Sequence, residues 1–227
     1  MDFKEGDLHS NTSIDDWNQW KQGNCQPNDR KNVQPDPITN CWPYTPFSSA
    51  EIGDSTRYHR LSRDEHDTIG MIALDPKDDM AVGMSTNGLS FKIPGRVSDS
   101  AVIGSGAYVD NEADGACATD NGDIMQRFIP SYHVVQLMRQ GESPSDACMD
   151  AIRRIAKYYP DFDGAVFTLS KDGRHGTTCD NYDSFPYAIM QQDWTESKVI
   201  EIPCVRRSRG QKQVPFFFLF VLLYIKW

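Results

Sequence analysis

The chain has 227 residues, which is enough for one domain with a hydrophobic core, and 39% of them are hydrophobic. Its formal net charge of −9 argues against nucleic acid or a membrane surface as a partner, because both carry negative charge themselves. The six cysteines could form three disulfides and lack the spacing of a zinc finger, so we predict no metal and no cofactor.

The first part of the chain is polar and rich in proline. Ser13–Trp20 predicts a short helix with Ser13 as its N-cap. Three prolines lie between Cys25 and Cys41, and proline fixes φ and removes a backbone donor, so we expect a loop there. The charged stretch Ser48–Glu65 is typical of a mobile linker.

Alternating apolar and polar blocks begin after this linker. Thr68–Leu74 predicts a buried strand, and Met80–Thr86 predicts its partner, with a turn at Lys77–Asp79 between them. Asn87-Gly88 is a turn dipeptide. Ala101–Tyr108 is rich in glycine, which lets backbones approach closely.

Two helices and three strands are predicted in the rest of the chain. Asp123–Gln140 indicates a helix kinked at Pro130, and Ser143 with Pro144 begins a second helix as its N-cap and first residue. Gly164–Ser170 and Arg174–Cys179 predict a hairpin with its turn at Lys171–Gly173, and Pro186–Gln191 predicts a last strand. Grouped strands and grouped helices favour an α+β fold over alternating βαβ units.

The Asp67-Thr68 bond lies at the junction of the linker and the first predicted strand. Cutting it would leave Thr68 with a free α-amino group beside its own hydroxyl. An α-amino group has a pKa of about 7.7–8.0 and can act as the base that a threonine nucleophile needs. Taken alone, the dipeptide is better explained by a threonine that only opens a buried strand.

Several ordered motifs resemble those of the lysosomal glycosylasparaginases, also called aspartylglucosaminidases. In chain order these motifs are Asn24–Asn28, Asn32–Pro37, His66–Met71, Ser85–Gly88, Gly95–Ser100, Gly104–Tyr108, Ala118–Thr119, Asn121–Asp123 and Arg127–Tyr132. The resemblance runs from Trp17 to Cys204. Several motifs in the same order over this length make it specific.

The resemblance implies an α+β fold of a particular kind, the four-layer αββα sandwich of the N-terminal-nucleophile hydrolases. It divides the chain into residues 1–67, which match the end of the α-subunit and the cleavage linker, residues 68–204, which match the catalytic β-subunit, and an atypical tail at 205–227. Members of the family extend further upstream, so we expect the sandwich to be incomplete on its amino-terminal side.

The activity that the resemblance implies is that of a self-cleaving amidase. His66 precedes the cut, the Thr68 hydroxyl attacks the carbonyl of Asp67, and Thr68 then becomes the catalytic nucleophile. The substrate is a glycosylated asparagine, whose N4-(β-N-acetylglucosaminyl)-L-asparagine linkage is hydrolysed to aspartate and an aminosugar. Cleavage leaves an α/β heterodimer, which pairs into a dimer of heterodimers in the family.

Four further residues match the family's site. Thr86 matches the residue that contacts the nucleophile, and Thr119 matches a substrate-binding residue that stabilises the oxyanion. Arg96 and Asp99 match the residues that hold the α-carboxylate and the α-amino group of the substrate, for which a guanidinium fork and a carboxylate are suited. Without the resemblance, Thr86 fits a threonine that caps a turn equally well, and Arg96 with Asp99 is better explained as a surface ion pair.

Asp120 is a substrate-binding position at which this sequence departs from the family. Members usually carry glycine there, which can donate its N–H from a conformation that other residues resist. A carboxylate facing a developing oxyanion would repel it, although aspartate is among the residues that tolerate a positive φ best. This substitution puts activity in doubt.

The resemblance also implies two disulfides, Cys25–Cys41 and Cys179–Cys204. Cys148 matches a half-cystine of the family, but Thr168 stands at its usual partner position. We therefore expect Cys117 and Cys148 to be buried thiols.

Three points stay open at this stage. The lysosomal location follows from the resemblance, whereas the first residues of this chain lack the apolar core of a signal peptide. The alternatives to a glycosylasparaginase are a related asparaginase or isoaspartyl peptidase, and a truncated fragment without catalysis. The tail, with its apolar run Phe216–Ile225, is interpreted as a foreign terminus or as a membrane-surface anchor, because ten residues of helix span only about 15 Å.

Overall fold

A computed structural model describes residues 4, 6–7, 9–25, 32–36, 40–41, 43–48 and 68–206, and the backbone of 221–224. The chain divides into two compact units. The first comprises Met1–Arg57 and Leu89–Arg96, and the second comprises Tyr58–Gly88 and Val97–Trp227. Within the described residues, no helix is long and apolar enough to cross a membrane.

The first unit begins with helix α1, Asn11–Gln22. Its N-cap is Ser10, whose side chain accepts a hydrogen bond from the Ser13 N–H at 3.1 Å, while the Ser13 hydroxyl accepts one from the Ser10 N–H at 3.0 Å. The prediction of Ser13 as N-cap was therefore wrong by three residues. The two serines form a reciprocal capping box, and either one has the chemistry of a cap.

The prediction of a loop without sheet between Cys25 and Cys41 was wrong at Val33–Gln34, because the described residues of the proline-rich part include one small sheet. Strands β1 (Val33–Gln34) and β2 (Thr45–Pro46) pair antiparallel. The predicted disulfide Cys25–Cys41 closes this region. Segment Leu89–Arg96 joins the unit, where Phe91 stacks on Trp20 with ring centroids 5.4 Å apart.

The second unit holds two sheets and three α-helices. Its elements are β3 (Thr68–Leu74), β4 (Met80–Thr86), β5 (Ala107–Val109), β6 (Asp114–Asp120), α2 (Gly122–Phe128), α3 (Pro130–Arg139), α4 (Pro144–Ala156), β7 (Gly164–Ser170), β8 (His175–Asp180), β9 (Ser184–Gln191), β10 (Lys198–Pro203) and β11 (Val221–Tyr224). One sheet has the strand order β10-β9-β11-β3-β4, and the other has the order β5-β6-β7-β8.

These elements stack as a helix layer, the four-stranded sheet and the five-stranded sheet. Between the sheets, Ile72 and Leu74 of β3 pack into one core with Cys117, Phe167 and Leu169. On its other face, the four-stranded sheet packs against α3 and α4 in a second core. The α+β class is therefore confirmed. The two faces of the four-stranded sheet are both covered, which explains why every residue of β6 and β7 is buried.

Local signals in the sequence predicted several of these elements correctly. The β3–β4 hairpin, the β7–β8 hairpin and helix α4 with Ser143 as N-cap are confirmed. The predicted helix over 123–140 is instead two helices, which meet at Ile129 with a φ of 51°. Pro130 is the first residue of α3, and proline restricts the residue before it, so the chain breaks rather than kinks.

Four strands of the second unit were not predicted. Strand β6 consists largely of small residues buried on both faces, so it has no alternating pattern. The short β5 and the exposed β10 carry weak signals as well. Strand β11 belongs to the apolar tail and lies in the middle of the five-stranded sheet, parallel to both β9 and β3. The predicted linker and the basic part of the tail lie outside the described residues, apart from Ser48 and Val205–Arg206.

Candidate active site

Thr68 and Thr86 face each other where the β3–β4 hairpin opens. They are direct partners in the antiparallel register, at the start of β3 and at the end of β4. The Thr68 hydroxyl donates to the Thr86 hydroxyl at 3.0 Å, and Thr86 Oγ1 also accepts the Gly88 N–H at 2.9 Å. Thr68 is 8% exposed, so its hydroxyl has a defined position and is shielded from most water.

The strand alternation determines where Thr68 points. The even-numbered residues of β3 are buried, and two of them, Ile72 and Leu74, face the other sheet. Thr68 lies on this same face, two positions before Gly70. Its hydroxyl therefore points toward the space between the two sheets, at the amino end of β3.

Thr119 lies on the strand of the four-stranded sheet that faces β3. A Cβ on Gly115 of this strand would lie 2.9 Å from the side chain of Ile72, and Cys117 Sγ lies 3.8 Å from the Met71 carbonyl oxygen. Continuing in steps of two residues, Thr119 follows on the same face toward the amino end of β3. The structure thus brings Thr119 to the end of the sheets at which Thr68 lies.

The Thr119 hydroxyl is fully buried and has no hydrogen-bond partner within the described part of the chain. Leaving a buried hydroxyl unsatisfied costs about 1–3 kcal/mol. Buried polar groups in native proteins almost always have a partner. A hydroxyl in this position is therefore available to a bound ligand.

Asp99 lies near the carboxyl end of β6, the end at which Thr119 lies, and begins a short 3₁₀ helix, Asp99–Ala101. The Ser98 hydroxyl donates to Asp99 Oδ1 at 3.2 Å, and Asp99 is 5% exposed. A Cβ on Gly122 would lie only 2.1 Å from Asp99 Oδ1 and 1.9 Å from Ser98 Oγ. The carboxylate therefore occupies the space that the missing side chain of Gly122 leaves.

Asp120 is the last residue of β6, where the chain turns into α2. Its φ is 97°, it is buried, and the N-cap of α2, Asn121, follows it directly. A backbone in this region favours glycine and costs other residues of order 1–3 kcal/mol. The turn thus explains physically why glycine suits the position and why aspartate, with its short polar side chain, can replace it.

The remaining predicted residues are Arg96, His66 and Asp67. Arg96 is the last residue of the segment Leu89–Arg96 in the first unit, where its N–H donates to the Ile93 carbonyl oxygen at 3.0 Å. His66 and Asp67 lie outside the described residues. Sequence reasoning did not single out Ser98 or Gly122, because their part depends on a contact between separate segments of the chain.

The cysteines take no part in this arrangement. Cys179 and Cys204 form the predicted disulfide, and Cys117 and Cys148 are free and buried, as predicted. Burial raises the pKa of both thiols far above the usual range, which leaves them protonated and unreactive at neutral pH. Among the described residues, no group of three or more His, Cys, Asp or Glu side chains could hold a metal ion.

Comparison with known proteins agrees with the motifs. The family described as asparaginase matches residues 1–199. The N(4)-(beta-N-acetylglucosaminyl)-L-asparaginase of Mus musculus is 45% identical over 208 residues, which are 90% of this chain and 60% of the mouse protein. A protein of Arabidopsis thaliana named "Probable isoaspartyl peptidase/L-asparaginase 3" is 42% identical over 208 residues, 86% of this chain and 57% of the plant protein. The chain thus spans little more than half the length of these relatives.

Proposed function

The chain belongs to the asparaginase family, and from this premise we propose that it is an amidohydrolase with Thr68 as its nucleophile. The observation that carries the proposal is the 3.0 Å hydrogen bond between the hydroxyls of Thr68 and Thr86 at the amino end of β3. Thr68 follows Asp67 directly in the sequence, so cleavage of that one peptide bond would make Thr68 a chain terminus.

The first step of the proposed sequence is self-cleavage. The Thr68 hydroxyl oxygen attacks the carbonyl carbon of Asp67, the peptide C–N bond breaks, and the nitrogen takes a proton to become the α-amino group of Thr68. Water then hydrolyses the resulting ester, which leaves a carboxylate on Asp67 and restores the hydroxyl of Thr68. Thr86 supports this step because its contact holds the Thr68 side chain in one rotamer.

The second step uses the same oxygen on a substrate amide. The new α-amino group removes the hydroxyl proton, and the oxygen attacks the side-chain carbonyl carbon of an asparagine. Negative charge develops on the carbonyl oxygen, and the Thr119 hydroxyl would donate to it; the burial of this hydroxyl without a partner in the described part of the chain supports that role. The amine leaves with a proton, and water hydrolyses the aspartyl ester.

Recognition of the substrate rests on charge. A buried carboxylate such as Asp99 pairs with the α-ammonium group of a free amino acid, and we assign Arg96 to the α-carboxylate. The substrate would be N4-(β-N-acetylglucosaminyl)-L-asparagine, which gives aspartate and an aminosugar. The name and the 45% identity of the mouse relative support this choice.

A second candidate is an isoaspartyl peptidase or plain asparaginase with the same nucleophile. The 42% identity to the plant relative of that name favours it as the alternative. Glycosylated asparagine, free asparagine and β-aspartyl dipeptides share the amino acid head and differ in the leaving amine. Comparing kcat/KM for the three substrates therefore separates the candidates.

The fold, assembly and location are part of the same proposal. The three layers of the second unit fit a four-layer αββα sandwich, in which a further layer would cover the partly exposed Ile69 and Met71 on the outer face of β3. Cleavage at Asp67–Thr68 would make an α/β heterodimer, and two heterodimers can associate into a dimer. Two disulfides fit an oxidising route to the lysosome.

The test is the intact mass of the purified chain after incubation at neutral pH. Each disulfide lies on one side of the cut, so cleaved chain separates into 1–67 and 68–227 under denaturing conditions without reduction. We expect cleavage in the parent chain, none in Thr68→Ala, and normal cleavage in Thr195→Ala, which changes an exposed threonine. An uncut parent chain would contradict the proposal and favour a fragment without catalysis.

A further inference from the structure

Strand β11 has an unusual place in the five-stranded sheet. It lies between β9 and β3, parallel to both, and Val221–Tyr224 pairs with Met71–Leu74 on one side and with Ala188–Gln191 on the other. The β3–β4 hairpin and the β9–β10 hairpin do not pair with each other directly. Among the described residues, β11 alone links them by backbone pairing.

The composition of the tail fits this position. A parallel strand with neighbours on both sides is typically apolar along its whole length. The run Phe216–Ile225 contains no charged residue and consists of aromatic, β-branched and leucine side chains, which favour strands. The tail therefore has the sequence of a central strand, although it lies at the end of the chain.

The start of the tail is firmly attached to the second unit. The Arg206 guanidinium donates to both oxygens of the fully buried Asp180, and the Asn181 N–H donates to the Arg206 carbonyl oxygen at 3.0 Å. The disulfide Cys179–Cys204 lies next to this contact. Residues 207–220 then connect to Val221, and fourteen residues can reach up to about 45 Å.

We propose that Val221–Tyr224 is a separable strand that docks the hairpin bearing Thr68 onto the rest of the sheet, and that a peptide of the same sequence can replace it from solution. The tether raises the effective concentration of the strand, so the chain's own tail occupies the slot in preference to other strands. Thr68 lies three residues before the first paired residue of β3, so docking of the hairpin would also hold Thr68 in place. This consequence for catalysis rests on the proposed function.

The test compares Leu222→Pro and Leu223→Pro with Leu222→Val in the full chain. Successive N–H groups of a central strand point to opposite neighbours, so proline at either position removes one bond of the ladder, while valine keeps it. Amide hydrogen exchange is measured in β3, in β9 and, as a reference within the other sheet, in β7. We expect exchange in β3 and β9 to accelerate about tenfold or more in the proline variants, β7 to stay protected, and Leu222→Val to match the parent chain.

Peptide Pro215–Trp227, added in excess to the proline variants, is expected to restore protection in β3 and β9, whereas a scrambled peptide is not. Unchanged exchange in β3 of the proline variants would overturn the proposal. If protection is lost everywhere, restoration by the peptide supports the proposal, and no restoration overturns it. Amide hydrogen exchange does not depend on catalysis. If a chain that never cleaves itself shows the expected exchange in β3, β9 and β7, the proposed role of the strand is supported and only the proposed chemistry of Thr68 is refuted.

Discussion

Replacing Gly122 by alanine tests the proposed substrate site most directly. The new Cβ would lie 2.1 Å from Asp99 Oδ1 and 1.9 Å from Ser98 Oγ. Both atoms end short side chains that can rotate away, so the fold tolerates the change while the Asp99 carboxylate leaves its place. The contact with the α-ammonium group of the substrate is then lost or weakened.

The size of the effect follows from the kind of contact. A hydrogen bond to a charged group is worth about 1.5–3 kcal/mol, which corresponds to roughly 10- to 150-fold in kcat/KM. We expect most of this loss in KM, because the ammonium group is bound in the ground state as well as in the transition state. Self-cleavage at Asp67–Thr68 involves no substrate ammonium and should proceed at the parent rate.

The assay measures both reactions on the same preparation, the first by release of aspartate and the second by intact mass. Gly83→Ala is the matched control, because a Cβ at Gly83 meets no atom of the described residues within 4 Å. Unchanged kcat/KM in Gly122→Ala would refute the reasoning. So would an equal loss of self-cleavage, since that would show a general defect of folding.

Three further changes probe other parts of the molecule. Asp120→Gly relieves a φ of 97° and should raise the thermal midpoint. If Asp120 belongs to the oxyanion site, as the resemblance implies, the change should also raise kcat, and a fall in kcat would show that the carboxylate takes part in the reaction. Thr119→Val should lower kcat about 10²- to 10³-fold, because it removes the proposed oxyanion donor. It should not lower stability, because the buried hydroxyl has no partner among the described residues. Thr119→Ser keeps the hydroxyl and should retain activity. Burial lowers the pKa of His175, so the unfolded chain takes up the proton first as the pH falls below about 6.5, and the free energy of unfolding decreases there. His175→Gln should therefore make the thermal midpoint depend less on pH between pH 7 and pH 5. An unchanged pH dependence of the midpoint would exclude His175 as its source.

Local signals accounted for the elements whose pattern repeats along the chain. Two apolar runs with a turn at Lys77–Asp79 between them predicted the β3–β4 hairpin, and Ser143 with Pro144 predicted where α4 begins. The motifs that resemble the glycosylasparaginases implied two disulfides, and both are present. The catalytic roles of Thr68, Thr86 and Thr119 remain predictions, which the measurements above can test.

The sequence by itself determined the class of fold, because strands and helices are grouped along the chain, and the motifs that resemble the glycosylasparaginases singled out Thr68 and Thr86, which the structure pairs in one hairpin. Only the tertiary structure decided that β6, buried on both faces, is a strand, that Gly122 leaves room for Asp99, and that the apolar tail lies between β9 and β3. The physical reason is that these features depend on contacts between segments far apart in the chain. Burial on both faces removes the periodicity from which a sequence can be interpreted, so packing alone determines where such segments lie.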